Sequence, residues 1–218
     1  MSEHHAILLS AAELKIVMAF CDLRQAVLFC SNKDVGRSEQ IQAVHGLLKD
    51  GLIVDKAHEM RASDQLLPYL KVFHASQGTT VVRPVKSTSP PLCLYYDQQD
   101  NRFAAISPSA SNPDFYRIFT VDDIELVDEL EQLEILPILD DEYDLPDLFC
   151  QHSPQMSNAA HLLSKFEYWP NSVGTPVSSL SVFREAASWF IHQQKFEKSE
   201  IWNYSVPCIA SWLKGERV

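Results

Sequence analysis

Apolar residues recur at helical spacing three times in the first third of the chain. Ser10-Ala11-Ala12-Glu13 has the form of a capping box, and Leu14, Val17, Met18 and Cys21 follow on one face. This predicts a helix that begins near residue 11 and ends before Ser31. After the loop Asn32–Gly36, Ser38 is placed to cap a second helix with Ile41, Val44, Leu47 and Leu48 apolar, and Gly51 stops it. Leu52-Ile53-Val54 reads as a short strand. Ser63 opens a third helix with Leu66, Leu67, Leu70 and Phe73 apolar and Pro68 in its first turn.

The period then changes. Thr79–Val85 is β-branched and predicts a strand, Lys86–Pro91 is a polar Pro/Ser linker, and Leu92–Asp97 and Arg102–Ser107 predict two more strands. The Asp97–Asn101 connection is short enough to require antiparallel pairing. Ser107–Pro113 is a loop and Phe115–Phe119 a further edge strand. Thr120, with Asp123 three residues on, is placed to cap a helix that Pro137 ends. Its apolar side holds Ile124, Leu126, Val127, Leu130 and Leu133, with acids opposite.

In the second half, Ser157 or Asn158 is placed to cap a helix carrying Ala159, Leu162, Leu163 and Phe166, and Pro170–Pro176 is a turn. Val182, Phe183, Ala186, Ala187, Phe190 and Ile191 match a helical face, whereas the β-branched and aromatic content of Val182 and Trp189–Ile191 suits a strand pair. Both readings stay open over residues 181–194. Glu200–Ser205 alternates and predicts a strand, and Pro207–Lys214 predicts a final helix with Gly215 at its end.

The order implies an α+β fold in which a helical N-terminal part is followed by an antiparallel sheet with flanking helices. Residues 1–136 form the N-terminal part, with helices over 10–76, strands over 79–119 and the acidic helix over 120–136. Residues 137–156 are an acidic linker, and residues 157–218 form a C-terminal α+β part packed on the first. Ile41–Asp55, IQAVHGLLKDGLIVD, runs from a helix through a Gly turn into an apolar strand and resembles a winged helix. Residues 1–61 nevertheless carry seven basic against eight acidic side chains, so phosphate contact lacks its electrostatic term. The halves also show a loose parallel: LCLYYDQQ beside ASWFIHQQ, RFAAIS beside EIWNYS, VDDIEL beside VPCIAS. A helical 182–194 would break the first of these pairings.

An N-terminal helical part beginning LSAAELKIVM, strands in the middle and the parallel between the halves together resemble the EspG-type chaperones and associated cytosolic proteins of type VII secretion systems. The resemblance is architectural. It implies an α+β protein that binds a helical secretion substrate and has no catalytic activity. It specifies no binding residues, because no diagnostic motif of that family stands in the sequence.

Charge changes the picture in one place. Of the 29 acidic residues, twelve fall in Asp122–Asp147, and the other 17 nearly balance all 18 Lys and Arg, so the net charge of -11 is a local field. Its front is the amphipathic helix. Its rear, Pro137–Phe149, mixes acids with large apolar residues and has no period. Asp140, Asp141, Glu142, Tyr143, Asp144, Leu148 and Phe149 are therefore the candidate partner-binding residues, fitted to a helical or basic protein. A solvated acidic surface is the plain alternative.

Catalytic, metal and cofactor signals are absent. The eight histidines show no HxxxH or HExxH spacing, the five cysteines form no CxxC, and neither GxGxxG, GxxxxGK[ST] nor GxSxG occurs. The acids at 140–147 lack the EF-hand spacing and its Gly. No catalytic residue, metal ligand or cofactor is expected. The N-terminus lacks a basic region and cleavage pattern, and no run is long enough to span a membrane, so a cytoplasmic protein is expected. The functional expectation is a non-enzymatic protein-binding protein, a secretion-associated chaperone or adaptor. A winged-helix transcription regulator and an enzyme without a recognisable motif are the alternatives.

Overall fold

The computed structural model describes residues 6–20, 35–85, 91–109, 111–112, 114–138, 161–171, 175–185, 188–196 and 198–215. The chain divides into two compact units, Met1–Thr79 with Leu92–Asp122, and Thr80–Pro91 with Asp123–Val218. Both mix helices with antiparallel strands, so the α+β class holds.

In the first unit a strand the sequence did not announce, β1 (Ile7–Ser10), runs directly into α1 (Ala11–Ala19). Ser10 closes the strand and caps the helix. Its N–H donates to Glu13 Oε2 at 2.7 Å, and its Oγ accepts from the Glu13 N–H at 3.3 Å, the expected capping box. Helix α2 (Arg37–Lys49) starts one residue before its expected cap, with the Gly36 N–H donating to Glu39 Oε2 at 2.9 Å.

The buried face of α2 also differs from expectation. Ala43 and Leu47 are inside, while Ile41 is 52 % exposed and Leu48 is exposed too. Helix α1 packs on α2, and small residues face it: a Cβ built at Gly46 would lie 2.4 Å from Glu13 Oε1. Close approach, not hydrophobicity, chose the face. Gly51, at φ 69°, ends the helical run.

Strands β2 (Ile53–Lys56) and β3 (Glu59–Ala62) form a hairpin through Ala57 and His58, at φ 57° and 64°. Two positive φ values make a type I′ turn. Without Asn-Gly the turn left no mark in the sequence, and only the first strand was read. Helix α3 (Leu67–Ala75) carries Pro68 in its first turn and buries Tyr69, Leu70, Val72 and Phe73. The unit's sheet orders β1, β7 (Phe115–Val121), β6 (Arg102–Pro108) and β5 (Leu92–Asp97), all antiparallel. Helix α3 covers β5, β6 and β7, and Phe73 meets Tyr95 edge-on at 4.8 Å.

Strand β4 (Gly78–Pro84) carries the chain into the second unit. There the order is β4, β8 (His161–Pro170), β9 (Ser178–Glu185), β10 (Ser188–Lys195) and β11 (Lys198–Asn203), an antiparallel meander from β8 onward. Of the helix expected over Ala159–Phe166, His161–Phe166 is therefore part of strand β8, and residues 159–160 lie outside the described residues. Ser164 and Phe166 are buried at strand spacing, and a bulge between Leu162 and Ser164 obscures the period.

The open reading of 181–194 resolves to a strand pair. In the β9–β10 register Phe183 stands opposite Phe190 and Val182 opposite Ile191. A hairpin that folds a pattern back on itself reproduces the spacing of a helical face, which is why periodicity alone did not decide.

Helix α4 (Asp123–Gln132) begins only after β7 ends at Val121, so Thr120 is a strand residue and not its cap. It stops five residues before Pro137. Glu134 sits at φ 56°, its N–H donates to the Glu131 carbonyl, and the Ile135 N–H donates to the Leu130 carbonyl at 2.9 Å. That is a Schellman close with Leu130 and Ile135 buried together. Leu126 and Leu130 form the inner side, but Ile124 is 73 % exposed. Helix α5 (Val206–Leu213) is capped by Ser205, and Trp212 packs edge-on against Phe166. Lys214, just past α5, pairs with Asp123 at the start of α4.

Candidate functional site

The contact residues expected from sequence, Asp140, Asp141, Glu142, Tyr143, Asp144, Leu148 and Phe149, lie outside the described residues. The front of the acidic stretch is described. The Lys214 ammonium holds the Asp123 carboxyl below its ordinary range, while burial, helped by Asp128, raises Glu131. Tyr204 is buried and its hydroxyl finds no acceptor among the described residues, so burial and the nearby Glu131 push its ionisation well up.

Among the described residues, groups placed to do chemistry are few. Among the described residues no cluster of three or more His, Cys, Asp or Glu is arranged to hold a metal. Cys93 is buried and Cys208 half-buried, and neither is in a disulfide. His192 on β10 lies 2.7 Å from Ser199 Oγ on β11, and burial lowers its basicity, so a neutral imidazole shares the bond. The pair ties two neighbouring strands. Among the described residues no helix is long and apolar enough to cross a membrane.

Among the described residues a concavity lies in the first unit, a groove of about 790 Å³ along the outer stripe of α3. Leu67, Leu70, Lys71 and His74 recur at helical spacing along it, with Phe20 from the end of α1, Ala62 from the end of β3, and Asp100 and Arg102 from the β5–β6 turn. Leu70 and Val72 are buried at its base, whereas Phe20 is 40 % and Leu67 48 % exposed.

The rim is polar. Lys71 forms an ion pair with Asp100, and that hydrogen bond raises the ammonium's pKa. The groove thus combines an apolar base, partly exposed Phe20 and Leu67 walls and a charged rim. Sequence reasoning missed it. Its walls come from four separate segments, and only the α3 stripe is a local pattern.

No protein-family model matches the chain, and no curated protein matches it. A search of solved structures finds the Mycobacterium tuberculosis type VII secretion system chaperone EspG5, determined in complex with a PE25–PPE41 dimer. The two chains are 9 % identical, the match covers 96 % of this chain and 94 % of that one, and the TM-score is 0.50. At that identity the likeness is one of fold, and it is the architectural resemblance the sequence carried: this chain has a fold similar to that of an EspG-type chaperone.

Proposed function

We propose that this chain is a non-enzymatic cytoplasmic protein-binding protein, a chaperone or adaptor of the secretion-associated kind. The observation that carries the reading is the fold likeness, which runs nearly end to end in both chains to a chaperone solved while holding a protein dimer. The groove on α3 supports it, because exposed Phe20 and Leu67 offer apolar anchors beside a charged rim. The acidic segment from Asp140 to Phe149 is the second contact surface, suited to a helical or basic partner.

The rival use is DNA binding by α2 with the β2–β3 hairpin in the manner of a winged helix. The exposed hairpin residues Asp55, Lys56, Glu59 and Arg61 cancel in charge, which leaves phosphate little to bind.

The test is capture of the tagged full chain from its native cells at low and at high salt, beside the Leu67→Asp variant. The expected result is one co-purifying protein in near-equal amount, lost with Leu67→Asp. An empty capture at low salt, together with turnover of a small substrate by the purified chain, would sink the proposal.

A further inference from the structure

Among the described residues β11 ends the strand order and pairs with β10 alone. The hairpin closes Lys195 on Lys198 across a two-residue turn. In that geometry the backbone groups of Lys198, Glu200 and Trp202 bond β10, and those of Ser199, Ile201 and Asn203 point outward. Such a row is a template for another strand, which proteins usually blunt with charge.

Here the charges do not simply repel. Lys198 and Glu200 are exposed, of opposite sign and two residues apart, so both stand on one face. Phe196 precedes them at the hairpin tip, 75 % exposed and held at φ 53°, and Trp202 follows. Taken at every second residue, the order Phe, Lys, Glu, Trp is self-complementary when laid antiparallel on itself.

We infer that β11 pairs with β11 of a second copy of this chain, antiparallel about a two-fold axis at Ser199. In this register each Lys198 faces the other copy's Glu200, and each Phe196 approaches the other copy's Trp202. Ser199 has outward backbone groups, so it exchanges both hydrogen bonds with its copy at the axis. Its side chain, bonded to His192, lies on the opposite face from the charges. An axis at Glu200 would set that carboxylate against itself. An axis at Ile201 would set Lys198 against the buried Tyr204 and Glu200 against Trp202. Only the Ser199 axis satisfies the charges and the aromatics together.

The test is the mass in solution of the full chain by light scattering, across a dilution series at low and high salt. The wild-type chain is expected at twice its single-chain mass, dissociating on dilution and more readily in salt. Lys198→Glu or Glu200→Lys alone should weaken association by about tenfold or more, because both cross-strand pairs become repulsive. An equal mixture of the two single variants should regain the dimer, as should the double variant, since opposite charges then meet again. A wild-type chain at single mass throughout would overturn the inference. So would a Lys198→Glu chain that associates as tightly as wild type, or a mixture of folded single variants that stays dissociated.

Discussion

Gly46→Ala on α2 pits helix propensity against a cap on a different helix. In an exposed helix interior the change stabilises by about 1 kcal/mol, because Ala loses less backbone entropy than Gly. Here the new methyl would lie 2.4 Å from Glu13 Oε1. The Glu13 side chain is flexible, but its other oxygen accepts from the Ser10 N–H at 2.7 Å and the Ser10 hydroxyl at 2.8 Å. Moving the carboxylate away dismantles the capping box of α1, worth about 0.5 to 2 kcal/mol. The two effects nearly cancel, and Gly46→Ala alone should change stability by less than about 1 kcal/mol in either direction.

The informative measurement is a double-mutant cycle by urea denaturation with Glu13→Ala. Glu13→Ala alone should destabilise by about 1 kcal/mol. Once the carboxylate is gone the methyl at 46 has open space, so Gly46→Ala should then stabilise by about 1 kcal/mol. A coupling of about 1 kcal/mol between residues on different helices is the expected signature. Equal effects of Gly46→Ala in both backgrounds would refute the reasoning, because they would mean the two helices do not meet at this glycine.

Three further outcomes follow from the same structure. Replacing Ala57-His58 by Asn-Gly should raise stability by about 1 to 2 kcal/mol, since both positions hold positive φ, and a fall in the urea midpoint would show that the turn is not type I′. Glu134→Gly, at the left-handed close of α4, should stabilise by about 0.5 to 1 kcal/mol in thermal unfolding, and a clear loss would count against the Schellman geometry. His192 is held neutral by burial, so its folded pKa lies below that of the unfolded chain. Stability should then decline as pH falls from about 6.5 toward the folded value, because only the unfolded chain takes up the proton readily. Denaturation of wild type and His192→Gln at both ends of that range checks this, and equal slopes would exclude His192 as the source.

What was legible in the residues was local chemistry. Ser10 and Glu13 announce a helix start because both halves of the capping box lie within one turn. The β5–β6 hairpin was plain because its connection is too short for anything but antiparallel return, and Pro207 marks the first turn of α5 because a missing N–H costs nothing there. Over Leu162–Phe166 the residues predicted a helix and over 181–194 they left two readings open, since a bulged strand and a hairpin both place apolar residues at helical intervals. Backbone pairing with distant segments selected the strands.

The groove was illegible for a related reason. Phe20, Leu67, Lys71 and Arg102 are ordinary residues in their own neighbourhoods, and they meet only because α3 lies across β5, β6 and β7. The sequence by itself determined the α+β class, the acidic field over Asp122–Asp147, the start of α1, the β5–β6 hairpin and the bounds of α5 to within one residue, all set by contacts within a few residues. Tertiary structure alone decided which face of α2 is buried, that His161–Pro170, Ser178–Glu185 and Ser188–Lys195 are strands and where a groove opens, because each depends on which distant surface comes to lie against it.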